Sequence, residues 1–181
     1  MHSICVFCGS SVGNDPAFAE AAKELGHLMA QNNCRLIYGG GKVGLMGVIA
    51  DSVLQNDGKV TGVIPHFLYQ REVGHDGLTE LEVVQSMHER KKRMADLTDI
   101  FIAMPGGWGT LDELAEILTW RQLGLINGPI GLLNTKGFFD PLISQLNKMT
   151  QLGFVGEANS KTLQVADNPR SLLTVLGVLA V

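Results

Sequence analysis

Short apolar runs alternate with longer stretches in which apolar residues recur every three or four positions, and the alternation persists along the whole chain. Ile4 to Phe7 is the first apolar run and predicts a strand, because a strand covered on both faces reads as continuous hydrophobicity. Asp15-Pro16 supplies a cap and a first helical residue. Phe18, Ala21, Ala22, Leu25, Leu28 and Met29 then put one apolar face on a helix running towards Gln31. Leu36 to Tyr38 predicts the second strand and Leu45 to Leu54 its helix, stopped at Asn56-Asp57-Gly58. Val60 to Ile64 predicts the third strand, closed by Pro65, and His66 to Gly77 reads as a loop long enough to be a candidate substrate loop. A strand at Leu81 to Val84, a helix capped by Ser86, a strand at Ile100 to Ala103 and a helix from Leu111 to Leu123 follow. Ile130 to Leu133, Phe138 to Leu152 and a last helix opened by Asn168-Pro169 complete the pattern. Strand and helix alternating in this way imply an α/β fold, a mostly parallel sheet covered by helices on both faces.

The 181 residues show no internal repeat, linker or low-complexity segment and are best read as one domain, 1–181. A net charge of -4 and a pI near 5.7 leave no basic footprint, and aromatic residues are few. A nucleic-acid polymer is therefore not the expected partner; a small molecule is. No apolar run approaches the length that crosses a membrane, and Met1 to Val6 lacks the features of a signal peptide, so a cytoplasmic location is expected. Three cysteines fit reduced thiols. Cys5 and Cys8 form a C-x-x-C on the first strand, where a spacing of three puts them on opposite faces, and no second pair completes a zinc site. The five histidines, at 2, 27, 66, 75 and 88, show no ligand spacing, so no metal is assigned.

Chemistry concentrates in Pro105-Gly106-Gly107-Trp108-Gly109-Thr110, which lies between an apolar strand and a strongly apolar helix. At such a turn, free backbone N–H groups and the helix dipole favour an anion, so a phosphorylated small molecule is the first reading. Leu111-Asp112-Glu113 brings a carboxylate close behind it. Thr110 to Glu113 also fits a capping box, with Thr110 as cap and Glu113 reaching back, so cap and catalytic group are both open for Glu113. Gly39, Gly41 and Gly44 match G-x-G-x-x-G after the second strand, but the next strand ends Val63-Ile64-Pro65, without the acid a dinucleotide site needs. Lys42 has no Ser or Thr after it, so a Walker loop fails too. Arg90 to Arg93 is a run of four basic residues whose default is a solvated face, although one arginine could turn inward as a fork for phosphate or carboxylate. The helix from Leu111 to Leu123 is apolar all round, which predicts burial on more than one side and suggests a second subunit as cover.

Taken together, Cys8-Gly9-Ser10-Ser11, Tyr38-Gly39-Gly40-Gly41 with Gly44-Leu45-Met46-Gly47, Met87-His88-Glu89-Arg90-Lys91 and Pro105 to Glu113 resemble the Lonely Guy (LOG) family. Its members are cytokinin riboside 5′-monophosphate phosphoribohydrolases. The resemblance runs from about Ile4 to Phe154, and M-H-x-R-K with P-G-G-x-G-T-x-x-E is specific in combination; the tail from Gly156 onward carries no motif. It implies a three-layer Rossmann-like fold and hydrolysis of the N-glycosidic bond of a nucleoside 5′-monophosphate, giving free base and ribose 5-phosphate, with water and no cofactor. It implies Arg90 and Glu113 as catalytic residues and Gly106, Gly107, Gly109 and Thr110 as the phosphate-binding turn, with Trp108 a substrate-binding residue in that turn's free position. Gly9, Ser10, Gly40, Gly41, Glu72, Lys91 and Thr119 match further substrate-contacting positions. On this reading Glu113, in the first helical turn, acts as an anion beside the anomeric carbon, and Arg90, which does not deprotonate, clamps the phosphoribosyl group or the leaving base. Relatives have carried a lysine decarboxylase label, but no lysine here is marked out for pyridoxal phosphate. Two other readings stand beside it: a non-catalytic nucleotide or cofactor carrier on the same fold, and a general purine-nucleotide nucleosidase with a different base pocket.

Overall fold

The computed structural model describes residues 2–69 and 74–180. The chain begins with β1 (Ser3–Phe7), α1 (Pro16–Gln31), β2 (Arg35–Tyr38), α2 (Gly44–Gln55) and β3 (Lys59–Pro65). A short helix α3 (His66–Tyr69), β4 (Glu80–Val84), α4 (Met87–Asp96), β5 (Ile100–Ala103) and α5 (Trp108–Gln122) follow. The last part holds β6 (Ile130–Leu133), a 3-10 turn at Thr135–Gly137, α6 (Asp140–Gln151), α7 (Glu157–Ser160), β7 (Leu163–Ala166) and α8 (Pro169–Val175). Among the described residues the sheet has seven strands in the order β4-β3-β2-β1-β5-β6-β7. Every pairing is parallel, from Thr61 opposite Glu80 at one edge to Leu133 opposite Ala166 at the other.

Central strands buried on both faces explain the continuous apolar runs: Ile4, Cys5 and Val6 are closed to solvent, as are Leu36, Ile37 and Tyr38. Alternate residues feed two cores. Ile4, Val6, Cys8, Leu36 and Tyr38 pack under α1, α2 and α8, while Cys5, Phe7, Ile37 and Phe101 pack under α4, α5 and α6. The two-residue period thus sends Cys5 and Cys8 to opposite faces, as their spacing requires. Helix starts follow their caps: Asp15 accepts from Ala17 N–H at 2.9 Å, Ser86 from Glu89 N–H at 3.1 Å and Asn168 from Ser171 N–H at 2.9 Å.

Three features depart from the pattern in the sequence. The stretch from His66 to Gly77 opens with a helical turn, α3, rather than plain loop, and its residues 70–73 lie outside the described residues, Glu72 among them. β7 emerges in the tail that offered no signal, because Leu163–Ala166 is a half-buried edge strand without a strong apolar run. Most consequential, α5 begins at Trp108, with Gly107 as N-cap and no side chain capping it, rather than at Leu111 behind a Thr110 cap. The helix thus starts three residues early, and this places Thr110 and Glu113 inside it. The capping box is therefore absent, and Glu113 stands in the second turn, beyond the reach of the N-terminal dipole on which its expected ionisation rested.

The strand order reverses between β1 and β5. From β1 the chain steps outward through β2, β3 and β4, then returns to the other side for β5, β6 and β7. In open parallel sheets, ligands bind outside the carboxyl ends of the strands at such a reversal. The β1–α1 and β5–α5 turns, which carry Gly9 and Gly106, meet there.

Candidate active site

Three turns knit together above the sheet. Gly9 N–H donates to the Pro105 carbonyl at 3.1 Å, and Leu45 N–H donates to the Gly9 carbonyl at 3.0 Å. The turns after β1, β2 and β5 thereby become one backbone surface. Glycines make the approach possible: a β-carbon on Gly106 would collide with Thr110 Oγ1, and one on Gly44 (φ +65°) would collide with the Ser10 backbone. A β-carbon on Gly107 or Gly109, by contrast, would meet nothing within 4 Å among the described residues. Those two glycines therefore look onto open space at the N-terminus of a 15-residue helix, whose first N–H groups have no intrahelical acceptor. Gly9, Ser10, Pro105, Gly106, Phe18 and Phe138 line an adjoining cavity of about 280 Å³.

Arg90 is the arginine of the basic run that turns inward. Residues four apart on α4 share a face, so Arg90 and Met94 both point at the sheet while Glu89, Lys92 and Arg93 stay outside. Arg90 is only 7% exposed. Its Nε–H donates to the Val63 carbonyl at 3.1 Å, and Nη2 lies 3.8 Å from Glu113 Oε1. The group rests on Gly39, where a β-carbon would collide with Nη2. The first glycine of the G-x-G-x-x-G pattern thus makes room for an arginine, not for a dinucleotide phosphate. Glu113 is 9% exposed, and its charge, together with burial, pushes the Cys5 and Cys8 thiols well above the ordinary cysteine range. Desolvation is the larger cause for both thiols.

The remaining candidates divide. Gly40 (φ +77°) and Gly41 face the chain that returns after α3, through an antiparallel bridge between Gly41 and Gly74. Thr110 is buried behind the turn, whereas Trp108 is 88% exposed at its lip. Lys91 Nζ is held 3.1 Å from Asp112 Oδ2 and 3.0 Å from Glu116 Oε2 on α5. Burial depresses the ammonium's pKa, but these two carboxylates outweigh that and raise it. Thr119 donates to the Ala115 carbonyl at 2.8 Å and lines a separate groove between α5 and α6, so within one chain it stands apart from the glycine turns. No signal along the chain pointed to the carboxylate partners of Lys91, nor to His75, whose ring is buried against α2. Among the described residues there is no cluster of His, Cys, Asp and Glu suited to a metal, and no helix is long and apolar enough to cross a membrane.

A parallel sheet with a glycine-lined helix N-terminus at its strand-order reversal, backed by a buried Arg–Glu pair, defines a Rossmann-like protein. Solved structures of that shape include the molybdenum cofactor binding protein from Rippkaea orientalis, at 22% identity, 97% of this chain, 95% of that chain and a TM-score of 0.73. The molybdenum cofactor carrier protein from Chlamydomonas reinhardtii matches at 21% identity, over 99% of each chain, also with a TM-score of 0.73. At those identities the likeness is one of fold. Sequence goes further. Residues 46–176 match the family model described as "Possible lysine decarboxylase". The probable cytokinin riboside 5′-monophosphate phosphoribohydrolase LOG4 of Oryza sativa subsp. japonica is 46% identical over 97% of this chain and 76% of its own length. The cytokinin riboside 5′-monophosphate phosphoribohydrolase LOG2 of Arabidopsis thaliana is 44% identical over 96% of this chain and 81% of its own. The chain belongs to the LOG family.

Proposed function

We propose that the protein hydrolyses the N-glycosidic bond of nucleoside 5′-monophosphates, cytokinin nucleotides among them, to free base and ribose 5-phosphate. The observation that carries the proposal is the buried Arg90–Glu113 pair set behind an uncapped helix N-terminus, in a chain this similar to proteins named for that reaction. The 5′-phosphate sits on the N–H groups that open α5, in the space beside Gly107 and Gly109, with Gly9, Ser10, Gly106 and Thr110 shaping the turn around it. Phosphate held there brings the anomeric carbon towards Glu113. As the bond to the base breaks, the sugar becomes oxocarbenium-like, and an adjacent carboxylate stabilises the developing positive charge and orients the attacking water. The water oxygen bonds to the anomeric carbon, and its proton is balanced by the one the base nitrogen gains. Arg90, fixed by Val63 and Gly39, sets its permanent charge opposite Glu113 and reaches the phosphoribosyl group. Gly40 and Gly41 form the opposite wall. Trp108 supplies an aromatic lip, and Glu72 and Lys91 are further substrate contacts.

The same reading extends to assembly: the protein works as a homodimer that covers the outer side of α5. In the single chain, α5 buries Thr110, Glu113, Leu114 and Ile117, half-buries Trp120 and exposes Leu123. Next to it, Leu118, Ile143 and Leu146 line a largely apolar groove of about 280 Å³.

Comparison of AMP with adenosine, and of N6-isopentenyl-AMP with its nucleoside, by release of free base tests the reaction. Charge-assisted hydrogen bonds contribute roughly 1.5 to 3 kcal/mol each, so losing two of them lowers kcat/KM by about a hundredfold or more. Equal efficiency with nucleotide and nucleoside would remove phosphate from the turn. Tight binding of nucleotide without any release of base would favour the carrier reading.

A further inference from the structure

His75 stands outside the groups used above, yet it is 7% exposed and both ring nitrogens are engaged. The Gly77 N–H lies 3.1 Å from Nδ1, and a backbone N–H can only donate. Nδ1 must therefore offer its lone pair, which leaves the proton of the neutral ring on Nε2. That atom lies 2.9 Å from Asp51 Oδ1 on α2 and donates to it. The histidine backbone is bound as well: its N–H donates to the Gly40 carbonyl at 3.2 Å, and the preceding Gly74 bridges Gly41. The segment Gly74–His75 is thus laid along the outer edge of the Gly39–Gly41 turn and fastened to α2, the helix into which that turn leads.

What that turn supports is the guanidinium of Arg90. Gly39 is the floor on which Nη2 lies, and its closeness leaves no room even for a methyl group. Val63 holds the guanidinium only through Nε, and Nη1 makes a long contact to Met87 Sδ at 3.8 Å. The Nη2 end, 3.8 Å from Glu113, takes its position from the turn. We infer that His75 is a positioning residue, which through its bond to Asp51 clamps the Gly39–Gly41 turn and so fixes Arg90 against Glu113. This rests on the proposed hydrolysis, in which Arg90 and Glu113 act together. The phosphate end of the site lies on a different turn, after β5, so loosening the clamp disturbs the reacting end and leaves phosphate binding in place.

The test measures base release from AMP, with folding of each variant checked by circular dichroism well below its melting temperature. His75→Ala removes both ring bonds and lowers kcat by about tenfold to a hundredfold, the scale of a misplacement near one ångström, with KM little moved. His75→Gln, which retains a donor near the Nε2 position, recovers a large part of that loss. Asp51→Ala follows His75→Ala, Asp51→Asn keeps an acceptor and does not, and the double alanine variant turns over no more slowly than His75→Ala alone. Folded His75→Ala with full kcat, or with a change confined to KM, would overturn the inference. Should His75→Ala not fold, Asp51→Ala against Asp51→Asn carries the same decision. A second measurement does not depend on the reaction: the Arg90 Nε–H resonance and its exchange with solvent shift in His75→Gln and more so in Asp51→Ala. If the wild-type protein releases no base, the hydrolase reading falls. The clamp is then decided by that resonance, and its constancy across the variants would sink it.

Discussion

Glu113 shows how much a single residue's meaning depends on where a helix begins. Had α5 started behind Thr110, the carboxylate would have been a surface cap with backbone amides for partners. With Gly107 as N-cap it lies one turn further along, on the inward face with Thr110, Leu114 and Ile117, and opposite a buried guanidinium. A carboxylate is costly to bury, so its presence there asks for a compensating cation or a function. Glu113→Gln keeps the shape and removes the charge. We expect it to lower base release from AMP by about a hundredfold or more, as removal of one preorganised electrostatic contact does elsewhere. Circular dichroism at the assay temperature should show the variant still folded. Turnover near wild type would take Glu113 out of the mechanism. The same residue marks where sequence reasoning stopped. Its type and its proximity to a glycine turn were legible, whereas the four basic residues read by default as a solvated face, with an inward-turning arginine only as the alternative. The contact between Arg90 and Glu113 was not legible, because only the fold brings α4 and α5 side by side on one face of the sheet. His75 was hidden for the same reason: a lone histidine in a long connection says nothing until Asp51, twenty-four residues earlier, is brought beside it.

At the scale of elements, α5 joins the anion site to the core, and its glycines carry separable duties. Gly106 permits close packing on Thr110 and Gly9, so a side chain there disturbs the fold. Neither Gly107 nor Gly109 has a positive φ or a neighbour to displace, so Gly107→Ala and Gly109→Ala should leave stability within roughly 0.5 kcal/mol of wild type. If phosphate occupies that space, the added methyl groups enter it. We expect KM for AMP to rise about tenfold or more in either variant with the melting temperature unchanged, whereas hydrolysis of adenosine, slow in any case, should be unaffected. Unchanged KM in both would move the phosphate elsewhere. Element types were largely readable because parallel strands buried on both faces give continuous apolar runs, and because Asp15, Ser86 and Asn168 announce their helices by capping chemistry. Boundaries failed where a glycine replaced such a cap, since Gly107 opens α5 without a side chain and the pattern placed the start three residues late. β7 failed for another reason, since an edge strand needs only one covered face and its four residues, Leu163–Ala166, carry little pattern.

For the molecule as a whole, the open question of packing lies on the outer side of α5 and α6. Leu123, Leu125, Leu152 and Phe154, which follow the ends of the two helices, are between 64% and 80% exposed, and Leu118 and Ile143 of the same helices line a largely apolar groove. Scattered apolar residues are ordinary on a surface, but a cluster bordering an apolar groove is the signature of an interface. A standard interface takes about 800 Å² from each partner, close to a tenth of the 9048 Å² this chain exposes, and that is enough to cover such a cluster. The all-round apolar pattern of α5 has the same consequence, because the sheet can cover only one side of a helix. Light scattering of the purified protein at micromolar concentration should therefore report twice the 19.5 kDa of one chain. Leu123→Asp, at a position that contributes little to the core of its own chain, should bring the mass down to that of the monomer while circular dichroism stays unchanged. An isologous contact doubles the effect, since each substitution appears on both sides of the two-fold axis and sets two carboxylates in one apolar interface. A wild-type mass of one chain would leave α5 exposed in solution and remove the dimer from the reading, and a dimer that survives Leu123→Asp would place the contact on another face.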